Sequence, residues 1–216
     1  RMQFDLDART PAPYAGTPRG TVVLLHGWMM DGGSLLPWSL QLAQAGYRTI
    51  SIDLRNHGRS GQAPSGYGLR EARDVADAVT ALRARGEVVG PLHLLGVSYG
   101  AATAIFSARE LGMQVDNVIA IESFDNAGGA IRDMVPHMLA KPPETIAQQV
   151  AHRMLRMQLG DAALERAIAS AGNTLQLPLD KVDVGVALAQ VPACVLLLHG
   201  REDRHVPVAH GRALAA

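Results

Sequence analysis

Five short apolar runs punctuate the chain, at residues 21–25, 48–53, 92–97, 117–122 and 193–199. Each is rich in Val, Ile and Leu and too short for a core helix, so each predicts a buried strand. Helical spacing fills most of the intervals. Leu35, Trp38, Leu42 and Ala45 mark one face of a helix over 34–45, with Gly46 as its stop. Val75, Ala78, Val79 and Leu82 do the same over 70–85, ahead of Gly86. An Ala-rich helix over 98–111 ends at Gly112. Strands alternating with helices of this length require right-handed crossovers. The pattern predicts an α/β fold with a mostly parallel sheet and helices on both faces.

Residues 124–190 break the rhythm. They carry helical patterns at 131–139, 145–159 and 162–171, a breaker at Lys141-Pro142-Pro143, and no run that reads as a buried strand. The segment reads either as a long crossover that includes one of the sheet's own helices, or as a helical lid inserted before the last strand. The lid is preferred, because structureless connections of this length are uncommon. Its Met134, Met138, Leu139, Met154, Leu155, Met157 and Leu159 suit a pliable apolar pocket. The same residues also suit a packing stripe of the lid helices themselves, the slightly favoured reading.

Composition narrows the class. With 216 residues, 48% hydrophobic and 19% charged, the chain fits one domain spanning 1–216 and is neither a disordered tail nor a coiled coil. Lys+Arg and Asp+Glu are 20 each, so charge gives no reason to expect nucleic acid or an anionic membrane as partner. One cysteine excludes an internal disulfide and a thiolate zinc cluster. The histidines are scattered with no His-x-x-x-His pair, so neither a metal nor another cofactor is expected. No apolar run approaches the ~20 residues that span a bilayer. No signal segment opens the chain, which favours a cytoplasmic location, although a start at Arg1 leaves an upstream segment open. Oligomeric state is not readable.

Three strand ends carry candidate chemistry. Leu94-Leu95-Gly96-Val97-Ser98-Tyr99-Gly100 contains Gly-x-Ser-x-Gly between a strand and a helix. A serine there sits on a sharp turn with its Oγ exposed above the sheet, and the small residues at 96 and 100 let backbones crowd close. The competing role is a plain helix N-cap. Leu25-His26-Gly27-Trp28 ends another strand, and the Trp28 amide is a candidate oxyanion donor from a neighbouring loop. His26 is a candidate base by type, but a strand-end His beside Gly is more readily bound into its own loop. The third stretch is His199-Gly200-Arg201-Glu202-Asp203-Arg204-His205-Val206-Pro207. Asp203 either caps the helix that follows or orients a catalytic imidazole.

Those stretches, in that order, resemble the alpha/beta-hydrolase superfamily, as does Asp53-Leu54-Arg55-Asn56-His57-Gly58-Arg59-Ser60 after the second strand. The resemblance runs from about Thr21 onward. It implies that Ser98 is the nucleophile, that Trp28 and Tyr99 supply oxyanion-hole amides, and that Asp203 is the acid in preference to Glu122 or Asp125. It leaves His57 a structural role in a loop turned away from the nucleophile. The superfamily's order places the catalytic His after one further strand. Only His205 and His210 follow Asp203, and both fall where a helix should begin, so neither is expected to be the base. The strand at 193–199 would also be a bare Val/Leu edge. The expectation is therefore that the polypeptide continues into another strand, a His-bearing loop and a closing helix. The implied function is a serine hydrolase acting on a small-molecule ester or related acyl compound. The alternative is a binding module of the same fold without a triad histidine.

Overall fold

The computed structural model describes residues 15–140 and 160–216. The expected helix over 145–159, its Met154, Leu155, Met157 and Leu159, and the breaker at Lys141-Pro142-Pro143 lie outside the described residues.

Five strands form one sheet: β1 (Thr21–Leu25), β2 (Arg48–Ile52), β3 (Leu92–Val97), β4 (Asn117–Ile121) and β5 (Cys194–Leu198), in the order β2-β1-β3-β4-β5. Every pairing is parallel. In register, Thr21 stands opposite Arg48 on one side and Leu92 on the other. β1 and β3 are sheet neighbours whose onward connections run in opposite directions. Such a reversal leaves a crevice outside the carboxyl ends of the two strands.

The helices are α1 (Leu36–Gln44), α2 (Glu71–Ala84), α3 (Tyr99–Leu111), α4 (Ala127–Ala140), α5 (Asp161–Leu175), α6 (Val184–Leu188) and α7 (Val208–Ala215). The first expected helix divides in two. Asp31 Oδ1 accepts from the Ser34 amide at 3.0 Å and caps a 3-10 turn over Gly32–Leu35. Pro37 then opens α1 without needing an amide partner. α4 and α5 are both longer than their apolar spacing indicates. Pro136 lies inside α4, and a 3-10 turn (Leu179–Lys181) and α6 complete the 124–190 segment.

The larger core lies on one face of the sheet, where α2 and α3 pack Val75, Val79, Ile105 and Phe106 against Val23 and Leu94. Val182, Val184 and Ala187 belong to it, and α6 packs against α3 and α7. On the other face a smaller core joins Leu35, Trp38 and Leu42 to Val22, Leu24 and Leu95. β5 is one of the two outer strands. Its Leu196 and Leu198 are 53% and 44% exposed.

Candidate active site

The β3–α3 turn is held by exclusion. A Cβ on Gly96 would collide with the Gly100 carbonyl, and one on Gly100 would collide with the Leu25 carbonyl. The two glycines let β1, β3 and α3 approach closely enough to turn the chain sharply at Ser98. Ser98 has φ 54° and ψ −113°, a conformation L-residues rarely adopt. Its amide donates to the Ile121 carbonyl at 2.7 Å. Ser98 holds the N-cap position of α3, but its hydroxyl makes no capping bond to that helix.

Ser98, Trp28 and Tyr99 line one cavity of about 330 Å³. Tyr67 and Phe124 add to its wall, and α4 and α5 cover it with Ala130, Met134, Leu164 and Ala167. The lining is almost wholly apolar. Of the methionine stripe, Met134 reaches this cavity, whereas Met138 is 52% exposed. Among the described residues the amides of Trp28 and Tyr99 have no hydrogen-bond acceptor, although Tyr99 is buried. Tyr99 opens α3, where an amide has no intrahelical acceptor and is open to a ligand.

The turn after β2 props the loop that carries Trp28. Asp53 Oδ1 accepts from the Gly32 amide at 2.7 Å and Oδ2 from the Arg59 amide at 2.9 Å. Those two amides hold the Asp53 carboxyl below its usual range. Gly58 has φ 54° and lies against that carboxylate, where a Cβ does not fit. His57 accepts the Met29 amide at Nε2, 3.1 Å, and donates from Nδ1 to the Arg55 carbonyl at 2.8 Å. Its ring lies 5.4 Å from that of Trp28. The 53–60 loop therefore leans toward the Trp28 loop. His26 is fully buried, with Nδ1 against the Gly27 carbonyl at 2.8 Å and Nε2 accepting the Leu54 amide at 3.0 Å. Burial pushes its pKa down, so it stays neutral.

Asp203 does not line the cavity, although its neighbour Val206 does. Its Oδ1 accepts the amides of His205 at 2.8 Å and Val206 at 3.1 Å, which ties the loop after β5. It does not cap α7, whose N-cap is Pro207. Glu122 lies close by beyond β4. Burial raises its pKa first, and the charge of Asp203 adds to the rise. Asp125 is engaged elsewhere. It accepts from His210 Nδ1 at 2.6 Å, and His210 Nε2 meets Asp133 at 3.1 Å. His210 is thus buried between α7 and α4. His205 Nδ1 lies 4.0 Å from Asp203 Oδ1, too long for a hydrogen bond. Among the described residues no imidazole is hydrogen-bonded to Ser98, and none forms a group of three or more ligands placed for a metal ion.

Two features of the cavity wall escaped the sequence reading. Tyr67 stacks on Trp28, with ring centroids 5.7 Å apart and planes 11° apart. It is held by Glu71, fully buried at the start of α2, whose carboxylate accepts the Gly66 and Gly68 amides at 2.9 and 2.8 Å. An aromatic residue between two glycines, Gly66-Tyr67-Gly68, was the available signal.

The sequence profile of the Alpha/beta hydrolase family matches residues 22–216. The chain belongs to the alpha/beta hydrolase family. This family member is 29% identical over 206 residues to the AB hydrolase superfamily protein YisY of Bacillus subtilis, covering 86% of the chain and 75% of that protein. It is 26% identical over 224 residues to a monoacylglycerol lipase of Mycolicibacterium smegmatis, covering 91% and 75%. Among solved structures the alpha/beta hydrolase fold is shared with the Pyrococcus furiosus esterase Pf2001. The TM-score is 0.65 at 19% identity, covering 91% of this chain and 67% of that one. Among the described residues no helix is long and apolar enough to cross a membrane.

Proposed function

We propose that the protein is a serine hydrolase that cleaves an ester or related acyl compound through an acyl-enzyme intermediate. Ser98 Oγ attacks the carbonyl carbon while its proton passes to a base. The amides of Trp28 and Tyr99 donate to the developing oxyanion. Collapse expels the alcohol, which takes up the proton, and water then releases the acid. Asp203 is the acid that orients the base, and α4 and α5 act as the lid. Among the described residues no imidazole is hydrogen-bonded to Ser98, and His26, His57, His199 and His210 are hydrogen-bonded elsewhere. The observation that carries the reading is a strained serine whose hydroxyl makes no capping bond, sharing an apolar cavity with two residues whose amides have no acceptor among the described residues. The likeness to a monoacylglycerol lipase supports an apolar acyl substrate. At about 330 Å³ the cavity fits a small ligand, being near the lower end of the ~300–1,000 Å³ range of such sites.

A fluorophosphonate probe tests the assignment. A single adduct on Ser98 is expected, with p-nitrophenyl butyrate hydrolysis falling to background in Ser98→Ala. Labelling that persists in Ser98→Ala overturns it. The second reading is a non-catalytic binding module, favoured by the absence of an imidazole hydrogen-bonded to Ser98 among the described residues. It predicts that octanoate quenches Trp28 fluorescence in a protein that neither labels nor hydrolyses.

A further inference from the structure

Helix α5 separates two cavities. Leu164, Ala167, Ile168 and Ala171 face the cavity that holds Ser98. Glu165, Ile168, Gly172 and Asn173 face a second cavity of about 410 Å³. At 3.6 residues per turn these are adjoining stripes of one helix, and Ile168 stands where they meet. Leu179, from the 3-10 turn beside α5, also borders both cavities. Among the described residues no other side chain is shared by the two linings. One turn beyond Ile168 the helix carries Gly172, which has no side chain to close the gap and comes near the Leu177 carbonyl. Closure at this level therefore falls to Ile168 and Leu179, which are 5% and 2% exposed. The second cavity differs in character, because Glu165, Asn173, Gln176 and Asp180 give it a polar rim.

We propose that Ile168 and Leu179 form the end wall that sets the longest apolar group the Ser98 cavity accepts, and that the space behind the wall is closed to substrate only by these two side chains. The proposal rests on the reading of that cavity as the acyl site. A chain reaching the wall must either stop there or displace two buried aliphatic side chains from a close-packed seam. Shortening Ile168 joins the cavities and more than doubles the available volume. In an apolar pocket one methylene that does or does not fit changes selectivity by ~10–200-fold.

The test is a straight-chain series of p-nitrophenyl esters, from acetate to dodecanoate, on the whole chain and its Ile168→Ala and Ile168→Val variants. The acetate ester serves as the internal reference within each protein. Trp28 quenching by the matching fatty acids gives a second measure that needs no turnover. Melting temperatures establish that each variant is folded, with Ile168→Val as the milder change. Asn173→Ala, which borders only the second cavity, is the control and should keep the parent's length profile. A cut-off that moves to longer chains in Ile168→Ala, with at least ~10-fold relative gain just past the parent's limit, supports the wall. A cut-off unmoved in both folded Ile168 variants overturns it. If the parent binds fatty acids with a length limit that shifts in Ile168→Ala yet hydrolyses nothing, the wall stands and the hydrolase reading fails.

Discussion

A histidine with both ring nitrogens bonded to backbone cannot take a second proton without losing one of those bonds. His26 is in that position, because its Nε2 accepts the Leu54 amide. Burial holds its folded pKa below the ordinary 6.5, and half-buried His93 is shifted the same way by the same cause. Between the folded and unfolded values the unfolded chain binds more protons, so stability rises with pH across that window and is fully present above about 6.5. Each group contributes at most about 1.4 kcal/mol per pH unit. Urea unfolding at about pH 7.5 and about pH 5.5 should show lower stability on the acid side. In His26→Gln the difference should shrink toward what His93 leaves. An unchanged difference would mean that His26 does not carry the effect.

Among the elements, the loop before α2 depends on one carboxylate. Glu71 accepts from two glycine amides and from Ser65 Oγ at 3.5 Å, and Ser65 Oγ meets Tyr99 Oη at 2.8 Å. Arg55 Nε balances the charge from 3.8 Å. Glu71→Gln puts an amide N–H where a carboxylate oxygen accepted Gly66 or Gly68, which costs about 1–3 kcal/mol by the usual scale for an unsatisfied buried group. The same change should release Tyr67 from Trp28, seen as a loss of near-UV circular dichroism. A variant with parental stability and spectrum would contradict this account. These contacts also mark where sequence reading stops. The five strands were legible because Val/Ile/Leu runs of their length have few other uses, and α3 because it is Ala-rich and stops at Gly112. Tyr99 and Ser65 are 34 residues apart, and no periodicity joins them. The ends of α4 and α5 were misjudged for a related reason: they extend through Gly128, Gly129 and Asn173, residues that local preference reads as breaks.

At the scale of the whole sheet, β5 is the outermost strand on its side among the described residues. Leu196 and Leu198 stand out on one face of a strand whose outer edge, among the described residues, pairs with nothing. Apolar strand edges of this kind recruit other strands. The 216-residue chain should therefore associate increasingly with concentration, and Leu196→Lys should reduce that association. Light scattering across a dilution series checks this, and equal association of the two proteins would exclude β5 as the contact.

The placement of β1 beside β3 has a kinetic consequence. Trp28 and Tyr99 come from loops after these two strands, yet β2 and α2 lie between them in the chain. Closing so long a loop carries an entropy penalty that local contacts do not offset, and parallel pairing of this kind forms slowly. A chain that has made α2 and α3 but not the β1–β3 ladder holds the serine turn without its partner amide. During refolding, helical signal should accordingly return ahead of any capacity to bind at Ser98, and the interval between the two measures how long the central ladder takes to close.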